Sequence, residues 1–107
     1  MKELVKLVVT VPESDANSLR QAIGEAGGGT VGNYTFCSFS IKGVGRFLPG
    51  DGAKPAIGTV GNLEEVIEER IEITCDKQLV PKITAAIHAV HPYEEPTIDI
   101  YPLLSTD

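Results

Sequence analysis

The residues best suited to chemistry lie near the C-terminus, in the sequence HPYEEP at positions 91–96. One of the chain's two histidines opens this segment, and a pair of adjacent carboxylates follows it. Imidazole and carboxylate groups bind metal ions, carry protons and form hydrogen bonds, so the segment could bind a ligand. Its two prolines restrict the backbone, which suits a binding site and equally suits a plain connecting turn.

Three roles are open for His91: capping a preceding helix by donating to its last free carbonyls, contacting a metal ion or other ligand, and proton transfer. Glu94 and Glu95 are neighbours in an extended turn, so their side chains should point in different directions and not form an acid/base dyad. The candidate metal ligands are His91, Glu94 and Glu95. Tyr93 joins them as a candidate ligand-binding residue. No catalytic residue is assigned, and no cofactor is indicated beyond a divalent metal.

Composition limits the classes of protein to consider. At 107 residues the chain can bury one core, which predicts a single domain over residues 1–107. The net charge of −6 argues against a nucleic acid as partner, because no basic stripe is present to contact phosphates. Residues 1–4 do not resemble a signal peptide, and no apolar stretch of membrane length follows. We therefore expect a cytoplasmic protein.

Cys37 and Cys75 lack CxxC spacing and fall in strand-like segments, so we expect them to be reduced.

Both halves of the chain repeat one pattern of strand, helix and strand. Residues 4–11 are apolar and β-branched, and residues 16–26 then show helical spacing that ends at three glycines. Residues 71–75 alternate as a strand, and Val80 to Val90 repeat the helical spacing, with Pro81 moving the helix start towards Leu79. The repeat aligns residues 34–36 with 98–100 within the remaining strands, and the earlier of these strands runs on to Ile41. This predicts an α+β, ferredoxin-like βαββαβ sandwich: a four-stranded antiparallel sheet with two helices on one face.

In this topology the second helix ends at the sheet edge where the second strand connects to the third. The HPYEEP turn should therefore lie near that connection, which we expect over residues 42–62. The connection contains six glycines and two prolines, with Arg46 and Lys54 as candidate ligand-binding residues. A loop of this length is usually functional or mobile, although its glycines could simply permit turns in an extended hairpin. It matches neither a Walker loop nor a dinucleotide-binding loop.

The open face of the predicted sheet carries apolar side chains. On the first strand Leu4 and Val8 lie on the face opposite Leu7, and the second strand offers aromatic groups on both faces. Burying about five such side chains, at roughly 2 kcal/mol each, is comparable to the entropic cost of association. This favours a homo-oligomer, with scattered surface apolar residues as the alternative.

The motifs resemble a known family. HPYEEP at 91–96 with DIYPL at 99–103, GNYTFCSF at 32–39 and the glycine pattern of residues 43–58 look like the YqfO domain of the NGG-interacting-factor-like (Nif-three-like) proteins. The resemblance covers nearly the whole chain. In the larger relatives this domain is an insertion, whereas here it is expected to stand alone.

The resemblance implies a fold similar to the PII signal proteins and the CutA divalent-cation tolerance proteins, which form trimers. Residues 42–62 would then occupy the place of PII's mobile effector loop. The full-length relatives carry a two-metal centre in other domains, so hydrolase activity is not carried over.

Three hypotheses follow. The first is a small oligomeric binding or regulatory module that takes a divalent metal or small ligand between the turn and the glycine-rich loop. The second is a structural or protein-interaction module without a ligand. The third, a metal-dependent hydrolase, rests only on the distant relatives, because the sequence has no GxSxG, HExxH or other enzyme signature.

Overall fold

The computed structural model describes residues 3–106. Part of the N-terminal start, where the sequence predicts no signal peptide, lies outside the described residues, as does Asp107. The helices and strands follow one another as β1 (Leu4–Pro12), α1 (Ala16–Glu25), β2 (Phe39–Phe47), β3 (Glu64–Asp76), α2 (Val80–Val90) and β4 (Ile98–Pro102). A single 3₁₀ turn precedes each helix. No helix within residues 3–106 is long and apolar enough to cross a membrane.

The four strands form one sheet in the order β2-β3-β1-β4, and every neighbouring pair is antiparallel. The predicted βαββαβ fold is therefore confirmed. Leu7 of β1 lies opposite Ile73 of β3 and Ile100 of β4, which fixes the register across the centre of the sheet.

The core lies between the two helices and one face of the sheet. Alternate residues of β1 point into it, and Leu7 and Val9 are fully buried against Leu19 of α1 and Ile83 of α2. The period-2 pattern of the strand and the helical spacing of the two apolar stripes bring these side chains together. This packing also fixes where α2 ends, and so positions the turn that follows it.

Both helices end where the sequence predicts. Gly27 follows α1 in the left-handed region, at φ 98°, which glycine adopts without the steric cost of a Cβ. Helix α2 starts at Val80, next to the expected Leu79, and ends at Val90. His91 then adopts an extended conformation, as expected for a residue preceding proline.

The predicted start of β2 was wrong, whereas Phe39 to Ile41 lie in the strand as predicted. Residues 34–36 are not a strand; Val31 and Tyr34 exchange two backbone hydrogen bonds of 2.9 Å across a tight turn at Gly32-Asn33. Phe36 then takes a left-handed φ of 59°, which interrupts extended backbone. Strand β2 begins only at Phe39 and runs to Phe47. The connection to β3 is consequently shorter than expected, covering residues 48–63 instead of 42–62.

The two cysteines also differ in their surroundings. Cys75 lies on β3 within the core, and its burial raises the pKa of the thiol. Cys37 is half-buried and lies before β2, outside any strand, which corrects the expectation for this residue. Both are free thiols.

Candidate functional site

His91 uses both ring nitrogens within the protein. Nε2 donates to the backbone carbonyl oxygen of Thr10, 2.8 Å away, and Nδ1 accepts from the backbone N–H of Tyr93 at 3.1 Å. Because a carbonyl can only accept, the proton of the neutral ring must lie on Nε2. His91 as a whole is 7% exposed. His91 is therefore a structural link between the turn and β1.

The strand ladder explains why Thr10 accepts this bond. Strand β4 pairs with β1 only from Val5 to Val9, so Thr10 lies just beyond the end of that ladder. His91 supplies a donor for this part-buried carbonyl, which has no partner strand beside it. The capping of α2 comes from the His91 backbone, whose N–H donates to the carbonyl of Ile87 at 2.8 Å, whereas the imidazole bonds to a carbonyl of β1.

Tyr93 connects the turn to β3. Its hydroxyl donates to Oε2 of Glu68 at 2.7 Å, and Glu68 is 7% exposed. Burial raises the pKa of the Tyr93 hydroxyl far above its ordinary value, and the hydrogen bond and negative charge of Glu68 raise it further. The hydroxyl therefore stays protonated as a donor to Glu68 across the physiological range.

A row of rings holds Tyr93 in place. The Tyr93 ring lies edge-on to Phe47 of β2, with 5.7 Å between centroids and 63° between planes. The centroid of the His91 ring is 5.1 Å from that of Tyr93, with the planes tilted by 53°. The edge-to-face contact with Phe47 contributes about 0.5–1.5 kcal/mol beyond the burial of area. The turn is therefore attached to β1, β2 and β3 together.

Glu94 joins the turn to the glycine-rich loop. Its Oε1 accepts from the backbone N–H of Lys54 at 2.9 Å. The donor that the loop supplies is thus a backbone group. The expectation that the turn and the loop lie at one rim is confirmed by this contact.

Between the turn and the loop runs a groove of about 610 Å³. Three segments form its walls: β2 from Ile41 onwards, the loop between Leu48 and Ile57, and the turn from Tyr93 to Thr97. Thr10, Glu68 and Arg70 contribute to it from β1 and β3. The volume falls within the range of small-molecule sites.

Four of the six predicted ligand-binding residues line this groove, namely Arg46, Tyr93, Glu94 and Glu95. Arg46 lies on β2 and not in the loop, and its Nε is 3.6 Å from Oε1 of Glu65, the residue opposite it in the ladder. His91 and Lys54 are not among the residues that line the groove. The ligand-binding roles of all six stay predictions.

The predicted metal ligands do not form a cluster. Within residues 3–106 no three histidine, cysteine, aspartate or glutamate side chains are grouped so that they could hold a metal ion. Both nitrogens of His91 are already engaged, so a metal would have to displace Tyr93 N–H or the carbonyl of Thr10. In this conformation His91, Glu94 and Glu95 do not present a shared coordination site.

Sequence reasoning missed Glu68 and Gly45. A Cβ on Gly45 would collide with the carboxylate of Glu68, so the glycine makes room for the buried acid. Glu68 stands in a run of four acids within residues 64–69, which looks like a solvated strand. The alternation of that strand could have shown that Glu68 shares a face with Glu72 and Thr74. It could not have shown that Glu68 is buried, because that burial depends on the HPYEEP turn folding over the Glu68 side chain.

The sequence matches curated relatives in one segment of their length. It is 45% identical over 102 residues to the GTP cyclohydrolase 1 type 2 homolog of Mycobacterium tuberculosis, covering 95% of this chain and 27% of that protein. The homolog from Bacillus subtilis is 47% identical over 103 residues, with 96% and 28% covered. The chain thus spans about a quarter of the length of these relatives. No family model matches it.

A solved structure gives the same assignment. The Bacillus cereus protein related to NIF3 superposes with a TM-score of 0.85 and 42% identity, over 97% of this chain and 26% of that one. The chain is a YqfO-type domain of the Nif-three-like family. The resemblance noted in the motifs is confirmed.

The fold of this YqfO-type domain also occurs in more distant proteins. CutA1 from Ehrlichia chaffeensis has a TM-score of 0.70 and 20% identity, covering all of this chain and 87% of that one. The GlnK–ATP complex of B. subtilis has a TM-score of 0.64 and 16% identity, with 96% and 84% covered. At these identities the likeness extends to the fold alone.

Proposed function

We propose that this YqfO-type domain is a small binding or regulatory module that takes a small ligand in the groove between β2, the loop of residues 48–63 and the HPYEEP turn. The observation that carries the proposal is the groove itself, whose opposite walls are the two segments that sequence and topology bring to one rim. Its polar groups converge on an otherwise apolar lining, as in small-molecule sites.

The turn is held rigidly enough to form such a site. Three hydrogen bonds hold it to different parts of the chain. They join His91 to Thr10 of β1, Tyr93 to Glu68 of β3, and Glu94 to Lys54 of the loop. A preorganised wall reduces the ordering cost of binding. A divalent metal remains part of the proposal, bound together with a small molecule. The turn alone does not supply enough coordinating side chains to hold the metal.

We further propose that the module self-associates, with the trimer favoured by the resemblance to PII and CutA. The open face of the sheet supports this, because Phe39 is 62% exposed there and Leu4 is 44% exposed, and neither lines the groove. Exposed aromatic and aliphatic groups grouped on one face are typical of an interface. The proposed compartment is the cytoplasm, where the free thiols of Cys37 and Cys75 would stay reduced.

The name of the relatives mentions a cyclohydrolase, but the segment that they share with this chain is only about a quarter of their length. The hydroxyl–carboxylate pair that lines the groove, Tyr93 and Glu68, keeps its proton on Tyr93 because burial raises the pKa of that hydroxyl, and Ser40 accepts a hydrogen bond from Arg20 on the helix side of the sheet. Binding is therefore the function that the geometry supports best.

The test is a titration of isotope-labelled protein with divalent metals, nucleotides and small organic cations, followed through backbone amide resonances. We expect at least one probe to shift the resonances of Gly43, Gly45 and Tyr93. Ala53→Trp should reduce that affinity, because Ala53 lines the groove and a large ring would fill it. Ala85→Trp is the matched control, since Ala85 lies exposed on α2, away from the groove. If no probe shifts the groove resonances in the wild type, the proposed binding function is wrong.

A further inference from the structure

One carboxylate oxygen on the floor of the groove lacks a partner within the protein. Oε2 of Glu68 accepts from Tyr93, whereas Oε1 has no hydrogen-bond partner among residues 3–106. No fully buried side-chain oxygen or nitrogen in the described part of the chain is unsatisfied, so Oε1 must reach the groove surface. A buried carboxylate strongly favours a donor, because leaving one unpaired is costly.

The positive charges of the groove are already paired. Three cationic side chains line it, and each has a carboxylate partner of its own. The pairs are Lys42–Glu13 at 3.0 Å, Arg46–Glu65 at 3.6 Å and Arg70–Glu72 at 2.9 Å. None of these cations is directed to Glu68. An incoming anion would have to displace one of the pairs and would also approach a buried carboxylate.

The remaining charged groups of the groove are acidic. Glu94 and Glu95 line its turn side, and of these Glu94 bonds only to the Lys54 backbone N–H. The net charge of −6 adds a field of the same sign around the whole domain. Because the three cations of the lining are held by carboxylates outside it, the charges left to meet a ligand are negative and attract a cation.

The rest of the lining is apolar. Phe47 and Tyr93, which are in edge-to-face contact, line the groove together with Glu68, and Leu48, Pro55 and Ile57 line it from the loop. A cation close to such rings is stabilised by their negative faces, and the aliphatic residues accommodate a hydrocarbon body. A hydrated metal ion has no apolar part to place there.

We propose that the groove binds a small organic cation, with a primary ammonium or guanidinium group donating to Oε1 of Glu68 and an apolar body against Phe47 and the loop. This inference deepens the proposed function and rests on it. Gly45 is part of the site, because its missing side chain lets the carboxylate lie at this depth.

The test uses 2-phenylethylamine as the probe and 2-phenylethanol as its uncharged counterpart, with binding followed through the amide resonances of Gly43, Gly45 and Tyr93. We expect the amine to shift these resonances and the alcohol to bind about tenfold more weakly, the usual scale for a charge-assisted hydrogen bond. Glu68→Gln should lose about the same factor for the amine, because the amide can still accept from Tyr93 but carries no charge. Glu25→Gln is the matched control, since it removes one negative charge from the exposed end of α1.

Each other result overturns the inference. If the wild type binds the amine and the alcohol equally well, the inference is wrong, and this comparison does not depend on whether Glu68→Gln folds. If Glu68→Gln folds and binds the amine as tightly as the wild type does, the inference is also wrong. If nucleotides or metals shift the groove resonances and the amine does not, this inference fails while the proposed binding function stands. Silence from every probe would remove both.

Discussion

His91 and Thr10 are joined by a hydrogen bond of 2.8 Å between the ring Nε2 and the backbone carbonyl, across 81 residues of sequence. The bond ties the end of α2 to the point on β1 where its pairing with β4 stops. The position of the groove wall therefore depends on a residue that does not line the groove.

His91→Ala should destabilise the fold by about 1–3 kcal/mol for each of the two groups that lose a partner, the Thr10 carbonyl and the Tyr93 N–H. Chemical denaturation measures this as a lower midpoint. His88→Ala is the control, because His88 is exposed on α2 and should change stability by less than about 0.5 kcal/mol. A melting temperature that rises with added metal in the wild type but not in His91→Ala would instead support the predicted metal role.

Stability should fall at alkaline pH because of Tyr93. Its pKa is raised on folding from an ordinary value of 10.0, so above that pH the unfolded chain releases the proton first. The stabilising contribution of the protonated hydroxyl is complete below pH 10 and is lost as the pH rises further. Cys75, whose pKa is also raised, acts in the same direction from about pH 9.

Tyr93→Phe isolates the tyrosine contribution. At neutral pH the variant should be less stable than the wild type, because Glu68 loses its donor. The difference should shrink as the pH rises above 10, measured by urea denaturation across that range. Tyr34→Phe, at a side chain that is 73% exposed, should leave the wild-type pH dependence unchanged. A difference that stays constant with pH would contradict the assignment.

Gly29→Ala should be strongly destabilising. Gly29 has φ 83°, and a Cβ there would collide with the backbone of Cys37. Gly32 also has a positive φ, of 57°, but a Cβ on it would meet open space. Gly32→Ala should therefore cost only about 1 kcal/mol for the backbone, and Gly29→Ala several kcal/mol, in thermal or chemical unfolding. Equal effects would show that the collision is relieved by movement of the loop.

Phe39→Asp should weaken self-association if the open sheet face forms the interface. Phe39 is 62% exposed on that face and does not line the groove. Burial of a charge in an apolar interface is unfavourable, so sedimentation should show a shift towards the monomer. Leu104→Asp is the control, because Leu104 is 95% exposed and lies beyond β4. Wild-type protein that sediments as a monomer would refute the interface directly.

The sequence by itself determined the fold class, the ends of both helices and the meeting of the HPYEEP turn with the glycine-rich loop. These follow from local rules: the periods of strand and helix, glycine after α1, proline after His91, and the order of strands in a βαββαβ sheet. The start of β2 was misplaced because the tight turn at Gly32-Asn33 was not recognised beside the internal repeat.

Only the tertiary structure decided what the side chains of the turn contact. A histidine before a proline is equally compatible with a metal ligand and with a bond to a distant carbonyl, and the choice depends on how β1 extends past β4. The burial of Glu68 has the same origin. Its carboxylate becomes costly to leave unpaired only when Tyr93 folds across it and Gly45 leaves room beside it, and those residues are far apart in the sequence.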